Sequence, residues 1–460
     1  LKYSYIPGQI SIYNGIEKLQ AGGIIEIDLK NEIESKSLKK YTWWSLKENI
    51  SNQKNDYYNS EEEALFSTEG SLIASLKEQS FSEVPLTCFL SGGIDSSLIA
   101  TLITNHVRSD LSTLSIGFEE KDYNESIKAR KLSDFLGTKH TEVTLTSNDA
   151  FSIIPKLPSV YSEPFADPAA IPTYLLCQSA SNQNIKVALT GDGADELFAG
   201  YNRYTLGPQI WSIASRIPAN IRSYILERLS NIENSTWERI GKFSNYSLFQ
   251  ERAQKIINRL LNVNSLEELY EKLSQEWPES DVILKDKTFQ FSNNNNDLFI
   301  NDLDPVGKMM FWDCTRYLCD NNQVKIDRSS MFLGIEARSP FLDHRVAKSA
   351  WSIPPSLRTK NGQGKYILKT LLKKYLPNDF NAQPKAGFAV PIGIWLRERL
   401  YKWSEELIKD EVSNKDSIFD CRLLIKLWEE HQSKKFDHSK KLWTILTLLS
   451  WQRENNKYST

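Results

Sequence analysis

Four acids on two short glycine-bearing stretches make up most of the residues able to do chemistry in this 460-residue chain. Asp95 stands in Ser91-Gly92-Gly93-Ile94-Asp95-Ser96-Ser97, and Asp192, Asp195 and Glu196 crowd into Gly191-Asp192-Gly193-Ala194-Asp195-Glu196. Gly92 and Gly93 let the backbone approach a ligand closely, and a helix starting there would aim several amides and the positive end of its dipole at one point. That is an anion cradle, best suited to phosphate. Unlike a Walker A loop it lacks a Gly-Lys-Ser/Thr ending, so no lysine is built in to reach a terminal phosphate. Carboxylates beside a triphosphate make sense when a divalent cation bridges them, and Mg²⁺ takes one or two protein carboxylates plus phosphate oxygens. Asp95 and Asp195 form that pair in our reading. Glu196 reads equally well as an acidic first turn that complements the helix dipole. The five histidines, His106, His140, His344, His431 and His438, show no metal-ligand spacing.

The elements that position these residues follow from apolar periodicity. Residues 87–90 have the character of a buried strand, and 97–103 repeat apolar residues at helical spacing, so the Gly-Gly loop joins a strand to a helix N-terminus. We expect strands over 111–118, 140–145 and 186–190 and helices over 61–79 and 125–137, an α/β alternation that gives a doubly wound parallel sheet with helices on both faces. Ligands of such sheets sit at the carboxyl ends of strands, where Ser91, Gly117 and Gly191 fall. Alternation at 24–29 and 39–44 suggests a strand pair near the start. Residues about 208–303 read as a helical insertion with a polar Asn293–Asn296 run, helices resume over 305–319, and 395–451 read as helices covering the sheet.

The loop at 91–97 resembles the SGGxDSS loop of the ATP pyrophosphatases, adenine nucleotide α-hydrolase-like enzymes that cleave ATP between the α and β phosphates. With GDGADELFAGY at 191–201 and Gly334-Ile335-Glu336-Ala337-Arg338-Ser339-Pro340-Phe341-Leu342-Asp343 following in order, the chain resembles the asparagine synthetase family over essentially its whole length. The resemblance implies ATP as substrate and Mg²⁺ on Asp95 and Asp195. It implies a phosphate cradle of Ser91, Gly92, Gly93, Ile94, Asp95, Ser96 and Ser97 with Gly191, Asp192 and Gly193, and adenine near Leu114, Ser115, Ile116 and Gly117. Asp192, where the family often has Glu, would face the acyl-adenylate. Lys385, in Gln383-Pro384-Lys385-Ala386-Gly387-Phe388, matches a lysine that neutralises charge on the α-phosphate and the departing pyrophosphate. Lys365, in Gly362-Gln363-Gly364-Lys365, resembles the family's Gly-Lys turn and is a second cation candidate. Asp167, in a Pro-bounded segment, is a substrate-side acid. Arg338 and Glu336 can be a structural ion pair, the commoner fate of such neighbours; the motif places Glu336 in the active-site shell and lets Arg338 hold a substrate carboxylate, with Asp343 structural.

Segments 3–8 and 15–23 resemble the end of the glutaminase domain that precedes the synthetase domain in this family. We therefore expect a glutaminase remnant over 1–55 and a synthetase domain over 56–460. The first cysteine is Cys88, inside the second domain, so glutamine hydrolysis by this chain alone is not expected.

A net charge of −2 with 25% charged residues argues against a nucleic-acid footprint or a membrane-surface binder. Five scattered cysteines without a CxxC pair suggest neither a disulfide framework nor a zinc site, and fit a reducing, cytoplasmic setting. No apolar run approaches the ~18 residues of a membrane span. The expected reaction is ATP-dependent activation of the aspartate β-carboxylate followed by attack of ammonia, with glutamine as nitrogen source only if a glutaminase domain is supplied. Alternatives are amidation of another carboxylate such as a sugar acid, and a non-catalytic nucleotide-binding subunit. A sulphur-transfer relative would want catalytic cysteines and a basic face. A homodimer stays open.

Overall fold

The chain enters with a segment packed against the body and an exposed antiparallel hairpin, β1 (Gly23–Ile27) on β2 (Leu38–Thr42), close to the expected pair. The computed structural model describes residues 1–28, 38–52, 56–118, 126–230, 249–278, 280–286, 300, 302–377, 380 and 390–456. Tyr3 and Tyr5 are buried with Trp277 and Ile283, and the Ser4 carbonyl accepts from the Ala166 amide at 2.7 Å, so the first residues share the main body's core.

Five further strands, β3 (Leu86–Phe89), β4 (Ser112–Phe118), β5 (Lys139–Leu145), β6 (Val187–Leu189) and β7 (Glu336–Arg338), form one sheet in the order β5-β4-β3-β6-β7 with every neighbour parallel. The α/β sheet expected from the alternation is therefore present. Its strands read as apolar runs because both faces are covered. Cys88 and Leu90 point into one core, Phe89 into the other, and Leu189 and Ala188 divide the same way. The first core takes in the helix Glu61–Gln79, opened by Ser60 accepting from the Glu63 amide, and the helix Ile94–His106, whose residues 94–103 are all buried. The second takes in the helix Ala170–Asn182 and the C-terminal helices Ile392–Arg397, Tyr401–Ser413, Cys421–Gln432 and Ser439–Asn456, with Trp395, Trp428 and Trp443 among its members.

β3, β4 and β5 step one way across the sheet while β6 and β7 lie on the other side of β3. The order thus reverses between β3 and β6, and a crevice opens beyond the carboxyl ends of those two strands.

The insertion is helical, as expected, but its first helix, Asn202–Ala214, begins before residue 208. Ala219–Ser230, Phe249–Leu260 and Leu266–Ser274 complete it around a small separate core of Ala214, Leu226, Ile257, Leu260, Val263 and Leu269. The Asn293–Asn296 run lies outside the described residues. The helix Pro305–Trp312 then continues without a break into a π-helical stretch, Asp313–Gln323, and on into Val324–Phe332. Among the described residues no helix is long and apolar enough to cross a membrane.

Candidate active site

The Gly-Gly loop leaves β3 and enters the helix Ile94–His106 with no side chain capping it, which leaves first-turn amides for an anion. Hydroxyls brace the loop from within: the Ser91 amide donates to Ser96 Oγ at 3.1 Å, and the Gly93 amide to Ser91 Oγ at 3.3 Å. Gly92 has φ +69°, and a Cβ there would lie 2.6 Å from the Lys128 Cβ and 2.9 Å from the Ala129 amide, so the turn tolerates no side chain.

β6 delivers a second turn to the same point. Lys365 Nζ donates to Asp95 Oδ1 and Oδ2 at 2.7 and 2.8 Å and lies 2.6 Å from Asp195 Oδ1. Two carboxylates from different turns thus converge on one positive charge. Lys365 stands at φ +56° just before the helix Tyr366–Lys373, and a Cβ on Gly200 would collide with both the Asp195 carboxylate and Lys365 Cε. Burial pushes the Lys365 ammonium towards neutrality, but Asp95 and Asp195 outweigh it and hold the amine charged, well above its ordinary range. The Lys365 ammonium is a stand-in cation between these acids, so the pair fits the two-carboxylate Mg²⁺ arrangement of phosphate sites. Among the described residues no group of three or more His, Cys, Asp or Glu converges as a metal site.

The opposite wall is built by the π-helical stretch and the helix Val324–Phe332. Asp167 Oδ2 accepts from Lys325 Nζ at 2.9 Å and from Asn321 Nδ2 at 3.0 Å, and its Oδ1 accepts from the Ala169 amide at 2.9 Å. Burial raises the Asp167 carboxyl, yet Lys325 and these donors more than offset it, so its pKa is lowered. Glu196 is wholly buried; its Oε1 accepts from the Tyr201 hydroxyl at 2.6 Å and from Asn322 Nδ2 at 2.7 Å, while Oε2 has no partner among the described residues. Burial, then the neighbouring Asp195 charge, pushes Glu196 up to about 7. Behind this wall Arg203 lies 4.3 Å over the Tyr201 ring and donates to Asp313, which also accepts from Tyr204 and Tyr270.

The two walls enclose a cleft of about 1120 Å³. Of the residues expected from sequence, Ser91, Ile94, Asp95, Ser96, Leu114, Ser115, Ile116, Gly191, Asp192, Gly193, Asp195, Asp167 and Lys365 line it. Gly92, Gly93 and Ser97 shape the loop from behind, and Gly117 is buried off the cleft wall. Glu336 and Arg338 are not brought to the cleft. They form the ion pair that was the alternative reading, at 2.8 Å on edge strand β7, and Arg338 also donates to the Gln79 and Phe81 carbonyls at the end of the helix Glu61–Gln79. The catalytic and substrate-side roles given to them lose their footing: their groups are spent on each other and on a helix C-terminus. Lys385 lies outside the described residues. Sequence reasoning passed over Lys325, Asn322, Tyr317, Tyr201, Lys369 and Lys373, all on the cleft wall. The two last follow Lys365 at four-residue steps and Tyr201 closes the GDGADELFAGY stretch, both legible signals; nothing local marked the others.

Comparison with known proteins adds a family. The family described as Asparagine synthase matches residues 68–453. Asparagine synthetase (glutamine-hydrolyzing) 1 of Bacillus subtilis (strain 168) is 31% identical over 378 residues, covering 81% of this chain and 57% of that protein. A putative asparagine synthetase (glutamine-hydrolyzing) of Mycobacterium tuberculosis (strain ATCC 25618 / H37Rv) is 28% identical over 384 residues, 80% of this chain and 54% of that protein. Amidase chyE of Penicillium rubens is 24% identical over 401 residues, 76% of this chain and 56% of its own length. A solved NH3-dependent NAD synthetase from Campylobacter jejuni subsp. jejuni NCTC 11168 matches 30% of this chain and 60% of its own at 19% identity, with a TM-score of 0.23, and carries no weight below. The chain spans about half the length of the curated relatives it matches. With five-sixths of its residues inside the matched region, the chain belongs to the asparagine synthase family.

Proposed function

We propose that this chain activates a carboxylic acid with ATP and amidates it. The carboxylate attacks the α-phosphorus, giving an acyl-adenylate and pyrophosphate. Neutral ammonia then adds to the acyl carbon and AMP leaves, with one proton released. Aspartate giving asparagine is the favoured instance. The observation that carries this reading is the meeting of Asp95 and Asp195 around one cation, beside a helix N-terminus whose amides are free of side-chain caps.

In this reading the loop amides hold the phosphates, and Phe89, Leu114 and Ile116 offer an apolar slot for adenine. A Mg²⁺ held by Asp95 and Asp195 would supply charge neutralisation between the phosphates and the leaving pyrophosphate. Lys365, Lys369 and Lys373 supply fixed positive charge along one side of the cleft, and Lys385 keeps the leaving-charge role its motif suggests. Residues 1–55 are proposed as the end of a glutaminase domain and 56–460 as the synthetase domain, placed in a reducing cytoplasm. A second reading, amidation of a different carboxylate, draws on relatives named amidases at 23 and 24% identity.

Exchange of labelled pyrophosphate into ATP, run over a panel of amino, dicarboxylic and sugar acids, tests the proposal. Exchange with aspartate alone supports the favoured reading, exchange with another acid moves it to the second, and exchange with none removes the adenylation step. Adding ammonium or glutamine to the active acid then identifies the nitrogen donor; ammonium is expected to work and glutamine is not.

A further inference from the structure

The cleft's two walls differ in chemistry. The loop wall is built for phosphate: amides, two acids around a cation, and lysines. The opposite wall offers one lysine with unspent capacity, and the β6 turn carries one carboxylate with capacity to spare. Lys325 Nζ donates to Asp167 Oδ2 at 2.9 Å and to Asn322 Oδ1 at 3.3 Å, and among the described residues its third N–H has no acceptor. Asp167 is not itself open to a ligand, because Lys325, Asn321 and the Ala169 amide occupy its oxygens. Its part is to hold the Lys325 ammonium charged and in place. Asp192, half-buried on the cleft wall, makes no hydrogen bond or ion pair among the described residues, and it lies near enough to Lys325 for the two charges to act on each other. A carboxylate withdrawn from water without a donor is costly unless a ligand brings one.

We propose that Lys325 and Asp192 together read the free amino-acid end of the substrate, Lys325 holding its α-carboxylate and Asp192 its α-ammonium, with the side-chain carboxylate turned towards the phosphate loop. This rests on the adenylation reading above. A cation and an anion lining one cleft, within reach of each other's charge, suit the two charged groups on one α-carbon. A sugar acid has no ammonium to give Asp192, and a simple dicarboxylate none either. Asp167 is a positioning residue in this arrangement, since it acts through Lys325.

The test is pyrophosphate–ATP exchange without ammonium, using aspartate, β-alanine, which lacks the α-carboxylate, and succinate, which lacks the α-ammonium. In the unaltered chain aspartate is expected to exceed both. Lys325→Gln is expected to collapse the aspartate-to-β-alanine ratio of kcat/KM by at least about ten-fold, and Asp192→Asn the aspartate-to-succinate ratio by a similar factor, the usual worth of one charge-assisted hydrogen bond. Equal losses on all three acids mean the two residues are only structural, and overturn the proposal. So does an Asp192→Asn chain that keeps its aspartate-to-succinate ratio while losing amide formation with ammonium, because Asp192 would then serve the incoming nitrogen. Should Lys325→Gln not fold, Asp192→Asn decides alone, since Asp192 has no hydrogen-bond or ion-pair partner among the described residues to lose. If the unaltered chain exchanges with no acid at all, it is the adenylation reading that has failed.

Discussion

Lys365 donates to both oxygens of Asp95, across 270 residues of sequence, at 2.7 and 2.8 Å. With Asp195 at 2.6 Å the ammonium sits where charge from two turns converges, and its side chain is only 8% exposed. An arriving divalent cation must share or displace it.

Lys365→Met should therefore take from two neighbouring carboxylates the ammonium that lies between them. Removing one member of a buried pair typically costs about 3 kcal/mol. In thermal melts the variant should start lower than the unaltered chain and gain more from added Mg²⁺, because the metal no longer competes with an ammonium. Equal Mg²⁺ shifts in the two proteins would separate the metal site from Asp95 and Asp195.

Glu196 supplies a pH signature. Its folded carboxyl is pushed up to about 7 from an ordinary 4.5, so the folded chain keeps a proton that the unfolded chain has lost between those values. Stability is complete below about 4.5, falls as pH rises through the window, and levels off above about 7, for a loss of about 3 kcal/mol. Glu196→Gln removes this dependence. The variant's advantage in melting temperature should grow from pH 5 to pH 8; a gap that stays constant would mean Glu196 is ionised throughout.

The central strands were legible because parallel strands covered on both faces read as plain apolar runs, as in Val187-Ala188-Leu189, and the helix Ile94–His106 because its apolar residues repeat at helical spacing. Strand β7 was not. Glu336-Ala337-Arg338 has no strand pattern; it is an edge held by backbone pairing of Glu336 with Val187 and Arg338 with Leu189, so its charged residues looked like chemistry instead. The loop acids were legible from glycine spacing. Lys325 was not, since its meaning comes from Asp167, 158 residues away, and a single lysine on a helix carries no local mark. Nor does any short pattern announce the π-helical winding of Asp313–Gln323, which turns Tyr317 and Asn322 onto the cleft wall.

Asp313 anchors the layer behind that wall. It is wholly buried, and one oxygen takes Arg203 at 2.8 Å, Tyr204 at 2.5 Å and Tyr270. Asp313→Asn leaves the Arg203 guanidinium without its counter-charge and should cost about 3 kcal/mol or more in urea unfolding. Arg203→Met combined with Asp313→Leu should recover part of that loss, since neither charge is then stranded. A double variant as unstable as the sum of the single ones would show that the pair does not act as a unit.

Lys369 and Lys373 give the last prediction. They follow Lys365 at four-residue steps, so they share one face of the helix Tyr366–Lys373, which packs on the loop helix Ile94–His106. All three line the cleft, with Lys365 buried, Lys369 half-buried and Lys373 exposed. Among the described residues neither Lys369 nor Lys373 has an acidic partner. Burial first, then repulsion from Lys365 and Lys373, lowers the pKa of Lys369, a strain that a bound polyanion would relieve. The row runs from the phosphate loop outwards, the direction in which pyrophosphate would leave. Lys369→Gln should weaken product inhibition by pyrophosphate about ten-fold, the loss of one partly desolvated charge contact. Lys373→Gln should weaken it less, because salt screens an exposed ammonium. The KM for the acid should stay within two-fold in both variants, as roughly expected when the opposite wall reads the acid. Inhibition constants for pyrophosphate, measured at low and high salt, settle the matter: unchanged values in both variants would leave the lysine row as solvated surface and send pyrophosphate out by another path.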